Sequence, residues 1–354
     1  MLKLLSALYG GITDWRNRLY DSGFIKPARP TQYCIGVGNL TVGGTGKTPA
    51  VSYLIQLLTG LNHHATGKLA TLSRGYGRQT KGFRIATPSD TAATLGDEPL
   101  ELYRTLGQLA TICVGERRAA ALTKLAALRP DIGTVVLDDA FQHRAVLPQL
   151  QLLLMDYNRP FYTDEPFPGG RLRERRHGAN RADLVIVTKC PYDPNPTERA
   201  QITQQISQYT RPKTPIIFAG LTYSAPIHFA TNQPVIIKKS PVLLVTGLAN
   251  AEPLVHYVSE TFGLLEHVAF ADHHAYSRAD VERLLHRCPP NTWLLTTHKD
   301  QVKLVALLTN DELQRKLAYL PVAMQFFQLR DAATLKRMVA DTLRQKLEPG
   351  LKNP

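Results

Sequence analysis

At 354 residues the chain is long enough for one large α/β domain or two domains sharing a cleft, and 44% hydrophobic with 20% charged residues excludes a disordered or fibrous chain. The formal charge of +13 calls for a negative partner: nucleic acid, an anionic membrane surface or a phosphorylated substrate. Cys34, Cys113, Cys190 and Cys288 lie far apart without a CxxC pair, which reads as buried thiols in a reducing compartment rather than a disulfide framework. No cleavable leader is recognised and no apolar run reaches spanning length, so a cytoplasmic or peripheral protein is expected.

Residues 1–30 carry Leu2, Leu4, Leu5, Leu8, Ile12, Trp15 and Leu19 at helical spacing, with Lys3, Arg16 and Arg18 among them. The pattern suits a helix lying in a membrane interface and equally a terminal helix docked on the protein's own core. Pro27 and Pro30 end the segment. A strand over 32–37 and a helix over 49–58 then flank a glycine-rich turn. Alternation follows: strands at 68–73, 110–114, 134–137 and 152–155, with helices at 95–106 and 116–128, the pattern of a parallel sheet with crossover helices. From 156 to 182 the periodicity lapses into a Pro- and Gly-rich, arginine-crowded segment, and loops of that length are usually functional. Strands resume at 184–188 and 216–219, and an irregular stretch to about 240 reads as a linker or small hairpin. A second α/β series begins at 241–246, with strands near 265–270, 292–296 and 323–327 and a final helix over 331–347 that trails into a basic tail.

The turn is Thr41-Val42-Gly43-Gly44-Thr45-Gly46-Lys47-Thr48, between a strand and a helix as a phosphate-binding loop requires. Its glycines let backbone N–H groups turn toward an anion at a helix N-terminus, Lys47 reaches the terminal phosphates and the Thr48 hydroxyl ligates Mg²⁺. The usual opening glycine is Thr41 here. Asp138 and Asp139 end the 134–137 strand. Alone they would read as a turn or helix cap, but downstream of such a loop they are candidates to hold Mg²⁺. On the acceptor side, Arg74 and Tyr76 sit in a Gly-rich loop after a strand, and Glu174 lies among Arg171, Arg173, Arg175 and Arg176. Asp97 opens a helix, Asp272 and His273 follow a strand, and an Asp that orients a His makes a base for a hydroxyl proton.

Collected in order, these segments closely resemble the tetraacyldisaccharide 4'-kinase (lipid A 4'-kinase) family: 37–49, Ser-Arg-Gly-Tyr-Gly at 73–77, Gly-Asp-Glu-Pro at 96–99, Asp-Asp-Ala-Phe-Gln-His at 138–143, Pro-Gly-Gly-Arg-Leu-Arg-Glu at 168–174, Ala-Asp-His at 271–273 and Thr-His-Lys-Asp at 297–300. The Thr41 departure is shared by that family. The resemblance implies ATP- and Mg²⁺-dependent transfer of the γ-phosphate to the 4'-hydroxyl of a tetraacylated glucosamine disaccharide 1-phosphate. It places the work at the cytoplasmic face of the inner membrane, by a peripheral protein expected to be monomeric and not to bind nucleic acid. Carried over by position, Asp97 and His273 with Asp272 form the proton-accepting set and Lys47 acts on phosphate. Asp138, Asp139 and Glu174 manage metal and phosphate geometry, and Arg74, Tyr76 and Arg117 face the substrate.

The expected fold is P-loop NTPase-like α/β: a mostly parallel sheet flanked by helices, with a second smaller α/β part and an N-terminal amphipathic helix. Its expected parts are a membrane-associating segment at 1–30, a nucleotide-binding domain at 31–220, a linker or hairpin at 221–240 and a C-terminal part at 241–354 completing the cleft. The rival reading is a P-loop switch or metal-delivery NTPase acting on a protein partner. Val42 stands where deviant loops of that kind carry a lysine, and Pro191 stands where a guanine-reading carboxylate belongs.

Overall fold

The computed structural model describes residues 2–61, 67–238 and 240–348; the end of the expected basic tail lies outside them. Among the described residues, fourteen strands form two sheets. In chain order they are β1 (Tyr33–Asn39), β2 (Lys68–Ser73), β3 (Arg84–Ile85), β4 (Ala110–Val114), β5 (Ile132–Leu137), β6 (Leu150–Asp156), β7 (Leu184–Thr188), β8 (Ile216–Tyr223), β9 (Ile227–His228), β10 (Pro241–Thr246), β11 (Gly263–Ala269), β12 (Trp293–Thr297), β13 (Leu317–Leu320) and β14 (Val322–Phe326). The helices are α1 (Leu2–Asp21), α2 (Lys47–Gly60), α3 (Ala92–Leu95), α4 (Asp97–Leu106), α5 (Arg118–Leu128), α6 (Pro196–Ser207), α7 (Glu252–Thr261), α8 (Arg278–Arg287), α9 (His298–Leu304), α10 (Asn310–Leu313) and α11 (Leu329–Leu347).

The larger sheet has the order β14-β8-β7-β6-β1-β5-β2-β4-β3, parallel throughout except for the antiparallel edge strands β3 and β14. Its central strands β1 and β7 are buried along their whole length, as a sheet covered on both faces requires. One face packs Ile35, Val37 and Leu152 against Leu54 of α2 and Leu335 and Val339 of α11, and the opposite face packs Leu72 and Val135 against Leu122 and Leu125 of α5. The smaller sheet, β11-β10-β12-β13-β9, repeats this plan. The period of two sends Val242 and Leu244 to the α7 side and Leu243 and Val245 to the α8 side.

Three features depart from the sequence reading. The strand expected near 323–327 does not extend the second series: β14 pairs antiparallel with β8, and α11 packs on the larger sheet. The helix expected over 95–106 breaks at Gly96, whose φ of 97° no helix admits, so that α4 begins at Asp97. In the smaller sheet β13 was not anticipated, being a four-residue apolar run closed by Pro321.

α1 is inverted relative to an ordinary surface helix. It buries Ser6, Gly10, Thr13 and Asn17, at successive helical spacings, against the body of the protein. Its apolar stripe faces outward: Leu4 is 75% exposed, and Leu2, Leu5, Leu8, Ile12 and Trp15 are exposed as well. No helix among the described residues is long and apolar enough to cross a membrane.

Candidate active site

Register gathers the candidate residues at one edge. β1 pairs with β5 so that Gly36 stands opposite Leu137, which brings the glycine-rich turn after β1 beside Asp138 and Asp139. On the other side β2 ends beside β5 and β4, with Ser73 opposite Val114, so the loop carrying Arg74 and Tyr76 and the turn leading to Arg117 leave the same edge. These are the carboxyl ends of parallel strands, where α/β sheets bind ligands.

The turn has the backbone its chemistry needs. Gly43 and Gly46 have φ of 110° and 76°, and α2 starts at Lys47 with no side-chain cap on its N–H groups. Asn39 Nδ2 donates to the Thr41 carbonyl at 2.8 Å, Thr188 Oγ1 donates to the Thr45 carbonyl at 2.9 Å, and the Lys189 ammonium bonds the Gly44 carbonyl. Thr41 is buried and bridges Leu172, while the Val42 N–H donates to the Arg171 carbonyl at 2.7 Å. The arginine-rich segment is thus stitched to the loop. Thr48, on the first turn of α2, is half-buried.

Lys47 is 9% exposed and lies 3.6 Å from Asp139, and Nη1 of Arg173 donates to both Asp139 oxygens at 2.7 and 2.8 Å. Burial pushes Asp139 toward the neutral acid, but Lys47 and Arg173 prevail and hold it below the usual carboxylate range. Its φ of 49° is rare for a residue with a side chain, and such strain persists only where the surroundings hold it. Asp138 is buried, and its Oδ1 finds no partner among the described residues. Burial, then the charge of Glu98, pushes it up to about 7. Glu174 accepts at both oxygens: Asn17 donates to Oε2 at 2.8 Å, and Gln142 and Arg181 donate to Oε1 at 2.9 and 2.6 Å. Both oxygens of this buried carboxylate are already engaged.

The second constellation joins the two sheets. Asp97, at the start of α4, meets His273, from the loop after β11, with Nδ1 to Oδ2 at 3.4 Å. His273 also holds a left-handed φ of 59°, and the Tyr76 ring meets its edge at 6.0 Å. Asp272 accepts from Lys299 at 2.6 Å, and the same ammonium lies 3.5 Å from Nε2 of His273. The Lys303 ammonium lies 3.3 Å from Asp97 and donates to the His274 carbonyl at 3.0 Å. Burial works to raise the Asp97 carboxyl, but the His273 bond and Lys303 together bring it below its ordinary value.

Arg74, Tyr76 and Arg117 are all exposed at this edge. The residue beside the last of these, Arg118, is 2% exposed and donates to the Asp138 carbonyl at 3.1 Å, holding the end of β5. Sequence reasoning gave no role to Arg118, Lys299 or Lys303. A signal existed for the lysines: one turn apart on a helix capped by Thr297, they share a face.

The tetraacyldisaccharide-1-P 4'-kinase family model matches residues 1–344. The chain belongs to this family. It is 39% identical over 334 residues to the tetraacyldisaccharide 4'-kinase of Cytophaga hutchinsonii, covering 92% of this chain and 91% of that one. The enzyme of the same name from Bacteroides thetaiotaomicron is 36% identical over 342 residues, covering 92% and 88%. Among solved structures, LpxK from Aquifex aeolicus in complex with ATP superposes with a TM-score of 0.74 at 25% identity, covering 96% of this chain and 97% of that one. A tetraacyldisaccharide-1-P 4'-kinase family member with this fold is not favoured as a protein-directed switch or metal-delivery NTPase.

Proposed function

We infer that the chain transfers the γ-phosphate of ATP to the 4'-hydroxyl of a tetraacylated glucosamine disaccharide 1-phosphate, the lipid A step for which its relatives are named. The observation that carries the reading is the meeting of Asp97 and His273 across the two sheets, on the edge that also bears the nucleotide loop. In this assignment the N–H groups of residues 41–48 and the Lys47 ammonium hold the β- and γ-phosphoryl oxygens. The acceptor hydroxyl gives its proton to His273 as its oxygen bonds the γ-phosphorus, the bond to the β–γ bridging oxygen breaks, and ADP leaves. Asp97 orients the imidazole and balances its positive charge, and Asp272 tethers Lys299 beside it. Arg74, Tyr76 and Arg117 form the acceptor's polar wall.

The residues present fit Mg²⁺. Asp138 Oδ1, without a partner among the described residues, and the Thr48 hydroxyl supply oxygen donors of the kind a hard cation prefers, while both Asp139 oxygens already accept from Arg173 and would have to exchange that partner to join them. Bound there, Mg²⁺ would neutralise phosphate charge; Glu174, with both oxygens engaged, fits a supporting part better than a ligand's.

The outward apolar stripe of α1 and the +13 charge support a peripheral seat on an anionic bilayer, at the cytoplasmic face of the inner membrane, where a tetraacylated acceptor would reside. We assign residues 1–30 to that attachment. The nucleotide-binding unit is 31–220 joined by β14 and α11, and the acceptor-side unit lies between about 225 and 320, since β9 pairs with β13. A monomer suffices, since both halves of the site come from one chain.

Incubation with γ-labelled ATP, Mg²⁺ and the lipid disaccharide 1-phosphate in detergent micelles tests the activity. Labelled bisphosphorylated lipid is expected; folded protein that binds ATP and makes none refutes it.

A further inference from the structure

α1 does more than present an apolar face. Its buried polar seam lies directly on the segment that builds the phosphate site. Residues 171–174 run between the two: on one side Arg171 and Arg173 exchange backbone bonds of 2.7 Å with Val42 and Leu40, and on the other the Tyr9 hydroxyl donates to the Arg173 carbonyl at 3.0 Å. The deepest contact is Asn17 to Glu174. That carboxylate has no exposed surface, and it collects donors from α1, from Gln142 just after the Asp138–Asp139 pair, and from Arg181. The same Gln142 amide also donates to the Asn39 carbonyl at 2.9 Å, at the mouth of the nucleotide loop. Next to Glu174 in the chain, Arg173 forks onto Asp139, whose left-handed backbone needs holding.

We propose that Asn17 of α1, acting through Glu174, is a positioning residue for the phosphate site. It fixes the segment that aims Arg173 at Asp139 and sets the distance from Asp139 to Lys47. Seating α1 and arming the phosphoryl-transfer site are then one event. The argument rests on the kinase reading and on nothing about the bilayer. A buried carboxylate robbed of a donor, or faced with a second carboxylate, must move or take up a proton, and its neighbours move with it. A displacement of about 1 Å in a group that positions a reacting phosphate costs about 10²-fold in rate.

A reversal of the pair tests this in the full-length chain. Asn17→Asp sets two carboxylates face to face and should lower kcat about 10²-fold, with association to phosphatidylglycerol-containing vesicles unchanged because the outer face of α1 is untouched. Adding Glu174→Gln restores an amide-to-carboxylate bond with its direction reversed while leaving an oxygen for Gln142 and Arg181, so the double variant should recover to within about fivefold of the parent. Tyr9→Phe, which places no charge in the seam, should lower kcat severalfold at an unchanged thermal unfolding midpoint, and it serves if Asn17→Asp does not fold. Full activity in Asn17→Asp overturns the proposal, and so does full activity in Tyr9→Phe where Asn17→Asp does not fold. So does a double variant as slow as Glu174→Gln alone with a raised Mg²⁺ requirement, because Glu174 would then act on the metal. An inactive parent chain would instead count against the kinase reading itself.

Discussion

Replacing Asp97 by asparagine keeps the side chain's shape and removes its charge, which isolates the electrostatic part of the acceptor site. The carboxylate lies 3.4 Å from His273 Nδ1 and 3.3 Å from the Lys303 ammonium. When His273 takes the hydroxyl proton, an imidazolium forms against that carboxylate. Two unit charges about 4 Å apart attract by about 4 kcal/mol at an effective dielectric of roughly 20. The His273 side chain is 39% exposed, so water screens the pair. About half the attraction, roughly 2 kcal/mol, is left to favour the transition state. At about 1.4 kcal/mol per decade, Asp97→Asn should lower kcat about 30-fold. The assay is steady-state transfer of labelled phosphate to the lipid disaccharide 1-phosphate in micelles, with the KM for ATP measured alongside and expected to stay within about threefold. Because Asp97 and His273 act as a unit, the double variant with His273→Ala should be little slower than His273→Ala alone. A kcat within threefold of the parent for Asp97→Asn, or losses that multiply in the double variant, would refute the pairing.

Two further outcomes follow from groups outside the reacting set. Glu101 of α4 lies 3.8 Å from His298 of α9 at the junction of the two units, and burial, then the charge of Glu98, pushes its carboxyl up to about 8. A carboxyl whose pKa is raised in the folded state binds more protons folded than unfolded, so its contribution is full below about pH 4.5 and is lost as pH rises toward 8. Thermal unfolding midpoints of the parent should therefore fall relative to Glu101→Gln between about pH 5 and 8, and parallel profiles would contradict the burial of that proton. At the outer face of α1, Leu8 and Ile12 are 62% and 58% exposed. Replacing both by glutamate removes about 1.5–3 kcal/mol of apolar burial per side chain and should weaken association with anionic vesicles about 10²-fold or more in sedimentation; unchanged binding would exclude α1 as the contact.

The nucleotide half of the site was legible because its chemistry is local. A strand, a glycine-rich turn and a helix lie within one short stretch, and parallel pairing brings the ends of neighbouring strands together without further information. The acceptor half was legible only as pieces. Asp97 and His273 each sat in a recognisable setting, but their contact depends on how α4 meets α9, which no spacing in the sequence encodes. Lys299 and Lys303 escaped for the same reason, since their partners Asp272 and Asp97 are distant in the chain. The two readings of the N-terminal segment stood level because periodicity located the apolar stripe without saying which face would dock. The face that docks on the protein carries Ser6, Gly10, Thr13 and Asn17, small or polar residues that admit close backbone approach, and Ser6 and Asn17 reach Gly169 and Glu174. The destination of β14 was also out of reach, because an edge strand that returns to a distant sheet leaves no mark on its own alternation.

Among the residues besides glycine that hold left-handed backbone near the candidate site, Asp139 and His273 stand on opposite sides of the proposed transfer. Each is over-determined by partners. Arg173 and Lys47 hold the first, and Asp97, Lys299 and the Tyr76 edge hold the second. Strain of this sort costs about 1–3 kcal/mol per residue and survives only where neighbouring contacts exceed it. Side chains held in this way would need little reorganisation when substrates arrive, which is where catalysis by positioning gains its rate. The donors to Asp139 come from the segment seated on α1, and those around His273 come from α9 of the smaller unit. On the proposed assignment, alignment of γ-phosphate and hydroxyl would depend on two junctions outside the site, α1 on residues 171–174 and α4 on α9. Substitutions at either junction should slow transfer more than they weaken ATP binding.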